Sequence, residues 1–108
     1  MNLFDLSGKT ALVTGGNGGI GLGIARGFVS HGASVMLLGR NINKLKTASV
    51  EIGEKFGYDK VATMKCDVTD RSSISKVLNG VTEKFGGLDV VVNNAGTNKR
   101  SDEPHLLS

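Results

Sequence analysis

At 108 residues the chain is one domain at most, or a piece of one. Hydrophobic residues make up 39% and charged residues 21%, with Leu, Ile, Val and Phe together supplying 31 residues, which excludes a disordered chain. The 13 basic and 10 acidic residues are spread evenly, Trp is absent and Tyr occurs once, which argues against a nucleic-acid partner; no apolar run nears the roughly 20 residues of a membrane helix.

Strand and helix signals then alternate strictly. Thr10 to Thr14 is continuously apolar between its threonines and predicts a first strand buried on both faces. A glycine cluster follows, and Ile20, Ile24 and Phe28, flanked by Ala25 and Val29, predict a helix that stops near His31-Gly32. Ser34 to Leu38 is a second buried strand. Asn41 is placed to cap the next helix, whose apolar face is Leu45, Ala48, Ile52 and Phe56, with Gly57 ending it.

Val61 to Lys65 makes a weaker third strand. Thr69 or Asp70 is expected to cap a third helix with Ile74, Val77, Leu78, Val81 and Phe85 on one face, broken by Gly86-Gly87. Leu88 to Val92 completes a βαβαβαβ order, which predicts an α/β fold with a parallel, doubly wound sheet and right-handed crossovers. Residues 97–108 are polar and match no element. A doubly wound fold of two halves would begin its second half after the fourth strand, so residues 1–108 are expected to be one partial domain of something longer.

Glycine, with 16 residues in the chain, is present at about twice its usual frequency of about 7%, and it clusters between Gly15 and Gly27. Thr14-Gly15-Gly16-Asn17-Gly18-Gly19-Ile20-Gly21 follows a strand and opens a helix, where positive φ and close backbone approach suit a pyrophosphate against a helix N-terminus. No Lys-Ser/Thr pair follows Gly21, so a triphosphate-binding loop is excluded. The register fits Gly16-x-Gly18-x-x-Gly21, its variant Gly15-x-x-x-Gly19-x-Gly21, or a methyltransferase-like Gly19-x-Gly21-x-Gly23. Gly23 and Gly27 are read as structural, their low helix propensity accepted for close packing. Arg40 stands 19 residues beyond Gly21, where an NAD-binding site would carry a carboxylate for the ribose 2′-hydroxyl. A guanidinium there pairs instead with a 2′-phosphate, which points to NADP rather than NAD.

Thr14 to Gly21, Asp67-Val68 after the third strand, and Gly87-Leu88-Asp89 leading into Asn93-Asn94-Ala95-Gly96 together resemble the short-chain dehydrogenase/reductase family, over roughly Leu6 to Gly96. The resemblance implies a Rossmann-type sheet in the order 3-2-1-4. It implies that Gly15, Gly19, Ile20 and Gly21 line the pyrophosphate, that Gly18 belongs to the same cofactor-binding turn, and that Asn17 contacts the adenosine ribose or its phosphate. Asp67 and Val68 would face the adenine, and Asn93, Ala95 and Gly96 would close the cofactor cleft. Asn94 would brace the sheet, and Asp89 would pair with backbone. In the full-length protein it further implies hydride transfer between nicotinamide and a carbonyl or alcohol substrate, and a homo-oligomer.

The family moves its proton with a Ser, a Tyr and a Lys four residues after that Tyr. Here the only tyrosine is Tyr58, and Ala62 stands four residues on, so no catalytic residue is assigned. His31 and His105 are read as solvated. Cys66, the only cysteine, is read as a small apolar strand-end residue that excludes an intrachain disulfide and a cysteine-based zinc site. With no signal peptide legible, a cytoplasmic location is expected. Thr97-Asn98-Lys99-Arg100 resembles the segment after the fourth strand in sugar-acid and polyol dehydrogenases. A stand-alone dinucleotide-binding module is the alternative reading.

Overall fold

The computed structural model describes residues 5–15, 19–66 and 71–94. Four strands, β1 (Thr10–Thr14), β2 (Ser34–Gly39), β3 (Val61–Lys65) and β4 (Val90–Asn93), alternate with three helices, α1 (Gly19–Ser30), α2 (Ile42–Phe56) and α3 (Arg71–Phe85). All strand pairs are parallel and the order is β3-β2-β1-β4, the Rossmann-type arrangement the resemblance implies. Val13 of β1 lies between Leu37 of β2 and Val92 of β4, which makes β1 and β2 the centre of the sheet. Both are buried almost throughout, as their unbroken apolar runs require.

Alternation of side chains along the strands divides the core in two. Ala11, Val13, Val35 and Leu37 point to one face, against Ala25 and Val29 of α1 and Leu45, Ala48 and Ile52 of α2. Leu12, Met36 and Leu38 point to the other, against Val77 and Val81 of α3 and Cys66. The result is three layers, helices over both faces of the sheet. No helix among the described residues is long and apolar enough to cross a membrane.

The helix ends follow their local chemistry. The Asn41 side chain accepts a hydrogen bond from the Lys44 N–H at 3.1 Å, as the predicted cap requires. After α1, the N–H of Ala33 donates to Phe28 O (3.1 Å) and that of Gly32 to Val29 O (3.0 Å), a Schellman turn. Gly57, expected to stop α2, donates to Gly53 O at 2.8 Å, and a short 3-10 turn, Tyr58–Lys60, leads into β3. The expected caps Thr69 and Asp70, and residues 97–108, lie outside the described residues.

Four expectations need correction. The buried stripe of α1 is Gly21, Ala25 and Val29, so the flanking pair of the expected face is its centre; Phe28 packs partly buried against the core, whereas Ile20 is 74% exposed. Large apolar residues on this short helix mark two adjacent stripes, and the backbone contact at Gly21 selects the smaller one. Gly23 and Gly27 are exposed, and a Cβ on either would meet nothing within 4 Å, so close packing is not their role. On α3 only Val77 and Val81 of the expected face are buried and Phe85 is partly so, while Ile74 and Leu78 stay 43% and 45% exposed, because no described element lies over that side of β4. Finally, β4 begins at Val90 rather than Leu88. Asp89 ties its own carboxylate to the Thr10 N–H (2.9 Å) and its N–H to Thr10 O (2.9 Å), which orders the approach to the strand.

Candidate functional site

Parallel strands deliver every strand–helix junction to one edge of the sheet. The residues after β1 (Gly15), β2 (Arg40) and β3 (Cys66), and those ending β4 (Asn93, Asn94), therefore share the carboxyl edge with the N-termini of α1 and α2. The chain runs outward from β1 to β3 and then crosses back to β4, so the topological switch lies between β1 and β4. Ligands of open α/β sheets bind in the crevice at such a point.

The described part of the glycine cluster is built for a close backbone approach. Gly15 (φ 68°) and Gly19 (φ 54°) occupy the left-handed region, which residues bearing a Cβ enter only under strain. The Gly15 N–H is anchored to Leu38 O at 2.9 Å, so the turn is tied to β2. A Cβ on Gly19 would meet nothing within 4 Å, and the first turn of α1 holds no acid to compete with an anion for the N–H groups that a helix start leaves without intrahelical partners. A Cβ on Gly21, in contrast, would run into the Gly15 carbonyl and come within 3.0 Å of Asn94 Nδ2. Gly21 is thus the point where helix, loop and the end of β4 converge.

Thr14 links the two strands at the switch point. Its hydroxyl lies 3.1 Å from Asn93 Oδ1 and 3.3 Å from Val92 O, and accepts the Asn94 N–H at 2.8 Å. Its side chain is a buried polar group at the end of an apolar strand, and that contrast is the signal which could have placed it among the site residues. The Asn94 contact is made by its backbone N–H, not by the side chain, and it ties the end of β4 to β1. Asn93 sits at the mouth of a cleft of about 310 Å3 between α3 and β4, whose walls include Leu12, Ile74, Leu78 and Val91.

On the other side of the switch, Gly39 O accepts the Cys66 N–H at 2.9 Å, closing the ends of β2 and β3 together. Arg40 follows, exposed and without an ion pair among the described residues; the ion pair found there joins Arg26 of α1 to Glu51 of α2 at 3.1 Å. A groove of about 470 Å3 runs between α1 and α2 beside Asn41. Of the expected cofactor residues, the structure brings Gly15, Glu-free α1 residues Gly19, Ile20 and Gly21, then Arg40 and Asn93, to this one edge. Asn17, Gly18, Asp67, Val68, Ala95 and Gly96 lie outside the described residues.

Tyr58 is not part of this edge. It precedes β3, at the opposite end of the sheet, and its ring packs on the backbone of Gly53 in α2, where a Cβ would collide with it. His31 Nδ1 lies 2.8 Å from Gly27 O at the end of α1, a local helix-end contact.

Comparison with known proteins gives a consistent result. A family model described as short chain dehydrogenase matches residues 9–107. A sorbose reductase of Candida albicans is 41% identical over 96 residues, covering 89% of this chain and 34% of its own length. Gluconate 5-dehydrogenase of Gluconobacter oxydans is 39% identical over 100 residues, covering 93% and 38%. The crystal structure of L-sorbose reductase from Gluconobacter frateurii, complexed with NADPH and L-sorbose, superposes with a TM-score of 0.81 at 38% identity, covering 94% of this chain and 40% of that one. The chain therefore spans little more than a third of the length of these curated relatives.

Proposed function

Because this chain belongs to the short chain dehydrogenase family of oxidoreductases, we propose that it is the cofactor-binding part of an NADP-dependent enzyme acting on a carbonyl or alcohol substrate. The carrying observation is Arg40: a guanidinium with no ion pair among the described residues, at the end of β2, on the edge that also holds the glycine turn. The free space at the Gly19 Cβ position and the acid-free first turn of α1 suit a pyrophosphate. A nicotinamide dinucleotide, when bound, would give a hydride to a carbonyl carbon or take one from an alcohol carbon, and this chain's residues would hold it. The α1 N–H groups would hold the diphosphate, Arg40 would take the 2′-phosphate, and Asn93, Ala95 and Gly96 would close the cofactor cleft. Asn17 takes the adenosine ribose, and Asp67 and Val68 the adenine. The similarity to sorbose reductases and gluconate 5-dehydrogenase favours a sugar-type substrate.

Arg40 decides the cofactor. Arg40→Ala is expected to weaken NADP(H) by about 1–3 kcal/mol, the scale of hydrogen bonds to a charged group, and to leave NAD(H) nearly unchanged. Titration of both reduced cofactors by fluorescence checks it, and equal losses for both would refute the assignment.

Residues 1–108 alone are expected to give no turnover. Their one tyrosine packs on Gly53 away from the site, and no lysine follows it at the fourth position. NADPH oxidation with a panel of ketones and sugar acids should stay at background, and turnover dependent on Tyr58 would overturn this. The same observation favours the second reading, a dinucleotide-binding module without catalysis, for any form of the protein that lacks a Tyr-x-x-x-Lys segment.

A further inference from the structure

Lys44 is the third residue of α2, and it lines the groove between α1 and α2 together with Leu22, Asn41, Asn43, Thr47 and Glu51. Its surroundings are electrostatically unusual. Acidic residues are favoured in the first turn of a helix, yet the first turn of α2 has none, and Arg40, Lys44 and Lys46 crowd its start.

Nothing in α2 neutralises this corner. The nearest acid following Lys44 is Glu51, seven residues and therefore about 10 Å along the axis, and Arg26 already holds it at 3.1 Å. The Asn41 side-chain oxygen is used by the Lys44 backbone N–H, and the Thr47 hydroxyl by Asn43 O. Lys44 forms no ion pair among the described residues. Helical side chains lean toward the N-terminus, the direction in which Asn41 and Arg40 precede Lys44. A cavity of about 470 Å3, whose one lining acid is paired with Arg26 and whose one lining cation, Lys44, has no ion pair, fits a compact polyanion entering from the sheet edge, where Arg40 directly precedes its Asn41 wall.

We propose that Lys44 is a second specificity-determining residue, sharing with Arg40 the recognition of the ribose 2′-phosphate. This rests on the NADP reading above. Arg40 offers a planar fork from the end of β2, whereas Lys44 adds a mobile point charge from the first turn of α2. The phosphate is thereby held between two elements rather than at the end of one strand.

The test is binding of adenosine 2′,5′-bisphosphate and of 5′-AMP to the protein at its full gene length, by calorimetry at low and moderate salt. Lys44→Ala is expected to weaken the bisphosphate at least fivefold and to leave 5′-AMP within twofold, with the difference shrinking as salt rises. Lys44→Arg should restore binding to within twofold. Thermal melting of each variant guards against misfolding, which an exposed surface side chain should not cause. Equal losses for both nucleotides, or no loss for either while Arg40→Ala still weakens the bisphosphate, would overturn the role of Lys44 alone. A wild-type protein that binds the two nucleotides equally well would overturn the NADP reading and this proposal with it.

Discussion

Gly21→Ala is expected to lower stability by about 2–4 kcal/mol, at or beyond the upper range of overpacking, and to weaken dinucleotide binding by more than tenfold. The added Cβ meets the Gly15 carbonyl, coming within 2.8 Å of its carbon, and this neighbour is backbone that cannot rotate away. Relief requires moving either the start of α1 or the turn at Gly15. The turn is tied to β2 through the Gly15 N–H, and the helix is held by Ala25 and Val29, both buried in the core. Either movement also displaces the N–H groups that would face the diphosphate. Two neighbouring glycines supply the control. Gly23→Ala and Gly27→Ala meet open space, so they should stabilise by up to about 1 kcal/mol through helix propensity. Chemical denaturation and cofactor titration of the three variants decide the matter. Similar small effects at all three positions would show that the convergence at Gly21 is not a constraint.

The second large effect is expected in the isolated polypeptide of residues 1–108, which should self-associate or melt without a single cooperative transition. Among the described residues β4 pairs only with β1, leaving its outer edge open. The exposed apolar surface differs in detail from what the Val90-Val91-Val92 run suggests. Val90 and Val92 pack against the α1 and α2 side of the core, and it is Val91 that stands 58% exposed, beside Ile74 and Leu78 across the cleft. Full burial of such side chains contributes about 1.5–3 kcal/mol each. At their observed half-exposure the three together forgo about 2–4 kcal/mol, a substantial part of the ~5–15 kcal/mol that natural domains possess. Sedimentation and thermal melting check this, with Val91→Lys expected to suppress association by placing a charge on the open edge. A monodisperse wild-type monomer with one sharp transition would refute it.

Much of this protein is determined by local sequence. The continuous apolar runs of β1 and β2 can only be satisfied in the middle of a sheet covered on both faces, and the structure buries them there. Asn41 and Gly57 delimit α2 because a side-chain acceptor and a flexible backbone solve the unpaired ends of any helix, whatever surrounds it. The glycine turn and Arg40 were legible because motif spacing places them at strand ends, and parallel strands bring strand ends to one edge.

Tertiary structure alone decided the rest. Periodicity shows that α1 is amphipathic, but Ile20-Ile24-Phe28 and Gly21-Ala25-Val29 are adjacent stripes. The choice between them rests on the approach of Gly21 to Gly15, a contact with a different element. Gly23 and Gly27 share the composition of Gly21 and none of its neighbours. Ile74 and Leu78 carry the period of a buried face, yet burial depends on what lies opposite, and nothing described covers that side of β4. Neither Thr14 nor Lys44 receives a role from the sequence, for the same reason. One is distinguished by partners 78 to 80 residues away, the other by the acid that Arg26 takes from its groove. Local chemistry sets where an element starts, stops and turns polar, whereas the rotation of each helix and the pairing of each side chain are settled by contacts between elements distant in sequence.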